Sequence, residues 1–238
     1  MRTSPRLLDP RLLLVLLLTI APMAGCGGNS KENPDKDGSV AKTSNNNDDE
    51  PTAEGKTPSQ RADDEKHPRI NIETSLGNIV VRLDAEKAPL TVNNFMRYVN
   101  EGFYNDTLIH EVRPGYAVIC GTYDENLTAK PTHGTIYNEA RNGLKNVRGT
   151  LAMARSEGID SATSAFFINL ADNSSWMDHK GEKPEEYGYC VFGEVVDGMD
   201  VAERISKVKV HKTTDKNNES LEQCPVEPVI IRSMRLLQ

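Results

Sequence analysis

The sequence predicts a mainly β domain, an antiparallel barrel or sandwich with helices at its ends, and three observations lead there. Short apolar runs alternating with polar residues recur through the later two-thirds of the chain. Helical spacing appears only twice, and no strand–helix–strand alternation joins the runs as a parallel sheet requires. Of the 238 residues, 5 Phe, 7 Tyr and 1 Trp are aromatic, and none precedes Phe95, so the core belongs to the later part.

Taken in order, the chain opens with a basic stretch through Arg11, an apolar run from Leu12 to Ile20, and Ala21-Pro22-Met23-Ala24-Gly25-Cys26. The run falls short of the roughly 20 residues of a spanning helix and fits a signal peptide over residues 1–25. Ala24-Gly25 before Cys26 resemble the lipobox of bacterial lipoproteins, whose cysteine is diacylated and becomes the first residue. That resemblance implies attachment to a lipid bilayer through Cys26, in a bacterial envelope, facing the periplasm or exterior. Two or three acyl chains anchor durably, at about 0.8 kcal/mol per buried methylene. Residues 27–67 contain no Leu, Ile, Met or aromatic residue and carry ten acidic against six basic side chains. They have nothing to fold around, so 26–67 is expected to be a disordered tether reaching about 35 Å.

The domain is expected over 68–238. Ile70 and Ile72, then Ile79, Val81 and Leu83, alternate with polar residues around Ser75-Leu76-Gly77-Asn78, which predicts a β-hairpin. Val92, Phe95, Met96 and Val99 lie at helical spacing between Pro89 and Gly102, residues suited to a first turn and a C-terminal cap. Further strands are predicted at residues 116–120, 150–154, 165–169, 190–195 and 229–234. A second helix runs from Met199 through Ala202 and Ile205, after the Asp197-Gly198 turn.

A net charge of −7 argues against nucleic acid as a partner. Neither phosphate-binding glycine loops nor nucleophile-elbow or Cys-x-x-Cys motifs occur. His67, His110, His133, His179 and His211 lack metal-ligand spacing and read as surface or hydrogen-bonding histidines. Cys120, Cys190 and Cys224 allow one internal disulfide at most, with small buried thiols an equal reading.

Several segments carry a family resemblance: Thr74-Ser75-Leu76-Gly77-Asn78-Ile79-Val80-Val81, Ala88-Pro89-Leu90-Thr91-Val92-Asn93-Asn94-Phe95, Arg148-Gly149-Thr150-Leu151-Ala152-Met153-Ala154-Arg155, Ser161-Ala162-Thr163-Ser164-Ala165-Phe166-Phe167-Ile168-Asn169 and Gly188-Tyr189-Cys190-Val191-Phe192-Gly193-Glu194-Val195. They resemble the cyclophilin-type peptidyl-prolyl isomerases, in order, over residues 69–238. The resemblance implies a closed eight-stranded antiparallel barrel capped by two helices, binding proline-containing segments of exported proteins. It implies no cofactor and no metal, and a monomer is expected.

Position by position, the resemblance puts Tyr116 on the pocket wall and Met153, Phe167 and Met177 on its floor. Ala154 and Arg155 fall on the strand that meets the peptide backbone, Trp176 at the rim, and Tyr189 where bacterial members carry Tyr. The departures concern polar groups. The family pattern Phe-His-Arg-Val-Ile-x-Gly-Phe-Met-x-Gln-Gly-Gly reads here Ile109-His110-Glu111-Val112-Arg113-Pro114-Gly115-Tyr116-Ala117-Val118-Ile119-Cys120-Gly121. The arginine position is Glu111, the glutamine position is Ile119, and a further site glutamine has become Ala165. A carboxylate cannot donate to an amide nitrogen, so a weak isomerase is expected. The alternative is a membrane-anchored, non-catalytic proline-binding module in which Glu111 selects basic neighbours. Arg113 is a possible substitute cation, although Pro114 should bend the strand there.

Overall fold

A computed structural model describes residues 58–237. The signal segment, Cys26 and the tether up to residue 57 lie outside the described residues. The elements run α1 (Pro58–Lys66), β1 (Arg69–Thr74), β2 (Gly77–Leu83), α2 (Pro89–Asn100), β3 (Thr107–Arg113), β4 (Ala117–Asp124), β5 (Thr150–Met153), β6 (Phe166–Asn169), α3 (Ser174–Met177), α4 (Pro184–Tyr187), β7 (Val191–Asp197), α5 (Met199–Ile205), β8 (Val210–Thr214), β9 (Ser220–Pro225) and β10 (Ile230–Leu237). Eight strands close into a barrel in the order β1-β10-β3-β4-β6-β5-β7-β2, every neighbouring pair antiparallel. Closure leaves the barrel without an exposed edge.

The alternation that predicted the first hairpin is its burial pattern. Ile70 and Ile72 of β1 and Ile79, Val81 and Leu83 of β2 point into the barrel and are all at most 2% exposed. α2 and α5 bury their apolar faces in the same core through Val92, Phe95, Tyr98 and Val99, and through Val201, Ala202 and Ile205. Phe95 is the hub, its ring 5.1 to 5.2 Å from those of Tyr104, Phe166 and Phe192. No side chain next to α2 in sequence caps its first turn. Instead the Glu139 carboxylate accepts the backbone N–H groups of Leu90 and Thr91 and the Thr91 hydroxyl, at 2.7 to 3.1 Å. A remote anion thus meets both the unpaired donors and the positive end of the helix.

Four features depart from the expectations. The end of the tether is helical: Lys66 pairs with Glu86 at 2.8 Å and its carbonyl accepts the Ala85 N–H, so α1 is tied to the end of β2 by contacts that composition does not reveal. The strand β3 has no alternation because its inner residues face the core while β9 packs over its outer side, burying all seven residues. The hairpin of β8 and β9 is mostly polar and exposed, held by a small cluster of Tyr123, Leu221 and Cys224. Tyr116 belongs to the turn before β4 rather than to the strand, its N–H bonded to the Arg113 carbonyl.

The thiols of Cys120, Cys190 and Cys224 are free and buried, which is the small-hydrophobe reading rather than a disulfide. His110 corrects the histidine expectation. It is fully buried, and neither ring nitrogen has a well-formed hydrogen bond. It packs edge-on against Tyr123 at 5.0 Å, and burial pushes its pKa down to about 4, with the Leu108 backbone only partly opposing.

Candidate functional site

The barrel carries a second apolar cluster on its outer side, and strand register builds it. On β4, Val118 and Cys120 face the core, so Ala117 and Ile119 face outward. Ile119 stands opposite Phe167 of β6, and Phe167 opposite Ala152 of β5, giving one row of outward residues across three strands. Ala154, Ala165, Met177 and Val191 complete the buried floor. Tyr116, Leu144, Trp176 and Tyr189 pack on it while staying partly exposed. Tyr116 and Trp176 stack at 4.5 Å with planes 24° apart, and Tyr189 meets Phe167 edge to face at 5.7 Å.

Met153 is not part of this floor. Strand alternation turns it inward opposite Phe166, into the barrel core, where it is 2% exposed. Ala154 and Arg155 lie just past β5, and the Ala154 N–H is already bonded to the Ala165 carbonyl. The Arg155 guanidinium is committed to the carbonyls of Ser156, Pro184 and Gly188, and stacks over Tyr189 at 5.1 Å. Burial holds its pKa below the usual arginine range. It fastens the loop that carries Tyr189.

Three buried asparagines, which the sequence reading passed over, position the rim. Asn173 Nδ2 donates to the Tyr116 carbonyl at 3.0 Å and to Asn169 Oδ1 at 2.7 Å. Asn169 Nδ2 donates to Asn146 Oδ1, and Asn146 Nδ2 donates to the carbonyls of Met177 and Tyr189. The three segments bearing Tyr116, Trp176 and Tyr189 are therefore one hydrogen-bonded unit. Gly188 completes it: with φ at +82° it lets the Tyr189 N–H reach the Met177 carbonyl, where a Cβ would stand 2.6 Å from that oxygen.

Glu111 and Arg113 project from β3 on this outer side. A bulge in β3 leaves His110 without a partner, after which Glu111 stands opposite Ile119 and Arg113 opposite Ala117. Arg113 Nε donates to Glu111 Oε1 at 2.5 Å, and Nη2 reaches the same oxygen. Both residues are 8% exposed. Burial raises the Glu111 pKa above the ordinary carboxylate value, and the Arg113 charge opposes that rise. The carboxylate is thus met by an arginine of its own chain, which removes the basis for its selecting basic neighbours of a proline. Pro114 does not turn Arg113 away. A separate cavity of about 210 Å³ shares Leu144 and Val191 with the site and lacks aromatic walls.

The profile of the cyclophilin type peptidyl-prolyl cis-trans isomerase/CLD family matches residues 69–236, the whole barrel but its last residue. The chain belongs to this family. This cyclophilin is 45% identical over 169 residues to peptidyl-prolyl cis-trans isomerase A of Dickeya dadantii, covering 71% of this chain and 84% of that one. It is 44% identical to peptidyl-prolyl cis-trans isomerase B of Escherichia coli, over 69% of this chain and 97% of that one. A solved cyclophilin of Cryptosporidium parvum, determined in the presence of the dipeptide Ala-Pro, shares the fold with a TM-score of 0.55 at 20% identity. It covers 71% of this chain and 99% of that one. Peptidyl-prolyl isomerisation is the function these relatives support for this cyclophilin.

Of the site residues named from sequence, Tyr116, Ile119, Ala154, Ala165, Phe167, Trp176, Met177 and Tyr189 come together in the outer cluster, and Glu111 lies opposite Ile119 on the neighbouring strand. Leu144, Ala117, Ala152 and Val191 were missed, although the period-2 register of β4, β5 and β6 would have found the two alanines.

Proposed function

We propose that this cyclophilin catalyses rotation about X–Pro bonds in exported proteins, as a monomer held to the bacterial envelope by acylated Cys26. The single observation that carries the catalytic reading is the outer cluster, an apolar floor of Ile119, Phe167 and Met177 walled by the stacked Tyr116–Trp176 pair. An X–Pro amide resists rotation by about 20 kcal/mol because its nitrogen lone pair is delocalised into the carbonyl. A site that grips the ring in an apolar floor while leaving the carbonyl free to swing favours the twisted state over either planar one. The Tyr116 hydroxyl, buried and without a hydrogen-bond partner, supplies a donor at the edge of that floor. The Ala-Pro dipeptide used with the Cryptosporidium parvum relative supports a proline dipeptide as ligand here.

The rate is expected to fall below that of family members with arginine at the position of Glu111, because the carboxylate there cannot donate to the amide nitrogen and Arg113 is paired to it. A protease-coupled assay of the full-length protein on an X–Pro peptide tests this. Acceleration over buffer supports the enzyme, and a trace superimposed on buffer overturns it. Ile119 and Ala165, apolar where polar contacts to substrate would be useful, favour a second reading, a proline-binding module without turnover. That reading predicts peptide binding with no acceleration. For the anchor, Cys26→Ser should release the protein from membranes into the soluble fraction, and retention of the variant in membranes would refute acylation there.

A further inference from the structure

The outer cluster does not end at its aromatic rim. Leu144 and Val191, which belong to it, also line the cavity of about 210 Å³, and the exposed Val147 continues that apolar wall. The volume is below the roughly 300–1,000 Å³ of a site for a whole small molecule and suits one side chain of a longer ligand. Register gives its distance from the proline floor. Val191 stands opposite Ala152, and Ala152 opposite Phe167; the far wall is the end of β2, where Leu83 stands opposite Gly193. At about 4.8 Å between neighbouring strands, the cavity lies roughly 10 to 14 Å from Phe167, the length of about three or four extended residues.

Four charged side chains line it: Arg82, Asp84, Lys145 and Glu194. Arg82 faces Glu194 at 3.7 Å, and Lys145 meets Asp178 at 3.3 Å, so both cations have carboxylate partners. Asp84 has no ion-pair partner among the described residues. Its Oδ1 accepts the Lys87 backbone N–H at 2.9 Å, which fixes the carboxylate before a ligand arrives. With Asp178 counted, three carboxylates meet two cations around one apolar slot. Lysine and arginine lay their methylene stems along apolar surface and keep the charge at its edge, so wall and charge together match a basic side chain.

Resting on the reading that a proline ring occupies the outer cluster, we propose that this cavity is a second subsite, which takes the lysine or arginine side chain of a client segment about three or four residues from its proline. The stem lies against Leu144, Val147 and Val191, and the charge meets Asp84. Selection of basic neighbours, closed to Glu111 because Arg113 meets its carboxylate, falls to Asp84.

The test uses the full-length protein, its single tryptophan Trp176 as an optical reporter of binding, and X–Pro peptides with lysine three or four residues before or after the proline. Norleucine at the same place keeps the stem and drops the charge. At one of these placements the lysine peptide should bind about three- to fivefold more tightly than its norleucine partner at low salt, and the difference should shrink as ionic strength rises. Asp84→Asn, which keeps an oxygen for the Lys87 N–H, should equalise the two peptides. Val147→Phe fills the slot and should weaken both peptides toward the affinity of one with glycine at that place. Equal Kd for lysine and norleucine at every placement overturns the subsite, as does a lysine preference that survives in Asp84→Asn. Either result leaves the isomerase standing where the norleucine peptides still isomerise faster than in buffer. Norleucine peptides that neither bind nor isomerise faster than in buffer overturn the isomerase reading itself, and the subsite with it.

Discussion

Acidification from pH 7 to pH 4 places a proton demand on His110 that the folded barrel resists. The ring is fully buried against Tyr123, and its pKa falls from 6.5 to about 4. The unfolded chain therefore takes up the proton first. Stability is complete above about pH 6.5 and is lost as pH falls through the window down to about 4. At about 1.4 kcal/mol per pKa unit, the full window corresponds to roughly 3 kcal/mol, a large part of the 5–15 kcal/mol typical of a domain of this kind. The assay is urea unfolding at closely spaced pH values, for the wild type and for His110→Phe, which keeps an aromatic ring against Tyr123. Glu111, whose raised pKa contributes with the opposite sign, is present in both proteins and cancels in the difference. The wild type should lose about 3 kcal/mol more than the variant between pH 6.5 and 4. Parallel stability curves would refute the reasoning.

Three further outcomes follow from the packing. Glu139→Ala removes the remote cap of α2 and should lower stability by about 1–2 kcal/mol, with Glu139→Gln recovering part of it in thermal melts. Gly188→Ala forces a side chain into a left-handed position 2.6 Å from the Met177 carbonyl. It should cost about 1–3 kcal/mol and weaken peptide binding read from Trp176, since Tyr189 is displaced. Phe95→Ala empties the meeting point of three aromatic rings and should cost about 3–5 kcal/mol in denaturant titration, without altering the relative kcat of the folded fraction.

Seven of the eight barrel strands were legible, β1 and β2 from alternation, as Ile70, Ile72 and Ile79, Val81, Leu83 display, and the others as short apolar runs, because β4, β5 and β6 are buried on both faces. The strand β3 was not, since a bulge at His110 breaks its period and the covering β9 buries charged residues, Glu111 and Arg113, that the sequence placed at the site without showing that they would be buried. The hairpin that supplies this cover is itself nearly all polar, with Leu221 and Cys224 its few anchors. The aromatic wall of the site was carried by family resemblance, and register alone separated Phe167, which faces the site, from Met153, which faces the core. The pairing of Glu111 with Arg113 could not be read at all. Residues two apart share a face only where the strand stays regular, and the proline after Arg113 argued that it would not. Nor could Asn146, Asn169 and Asn173 be singled out, because an asparagine in a loop or at a strand end gives no sign of whether its amide joins a network.

Exchange spectroscopy on an X–Pro peptide with a catalytic amount of the full-length protein tests the central claim most directly. Uncatalysed cis and trans forms interconvert over tens to hundreds of seconds, too slowly for exchange peaks at sub-second mixing times. The outer cluster, if it lowers the rotational barrier, brings those peaks up in the wild type, and Phe167→Ala removes them. Cis and trans signals that remain unexchanged at every mixing time, while Trp176 fluorescence reports bound peptide, would contradict it.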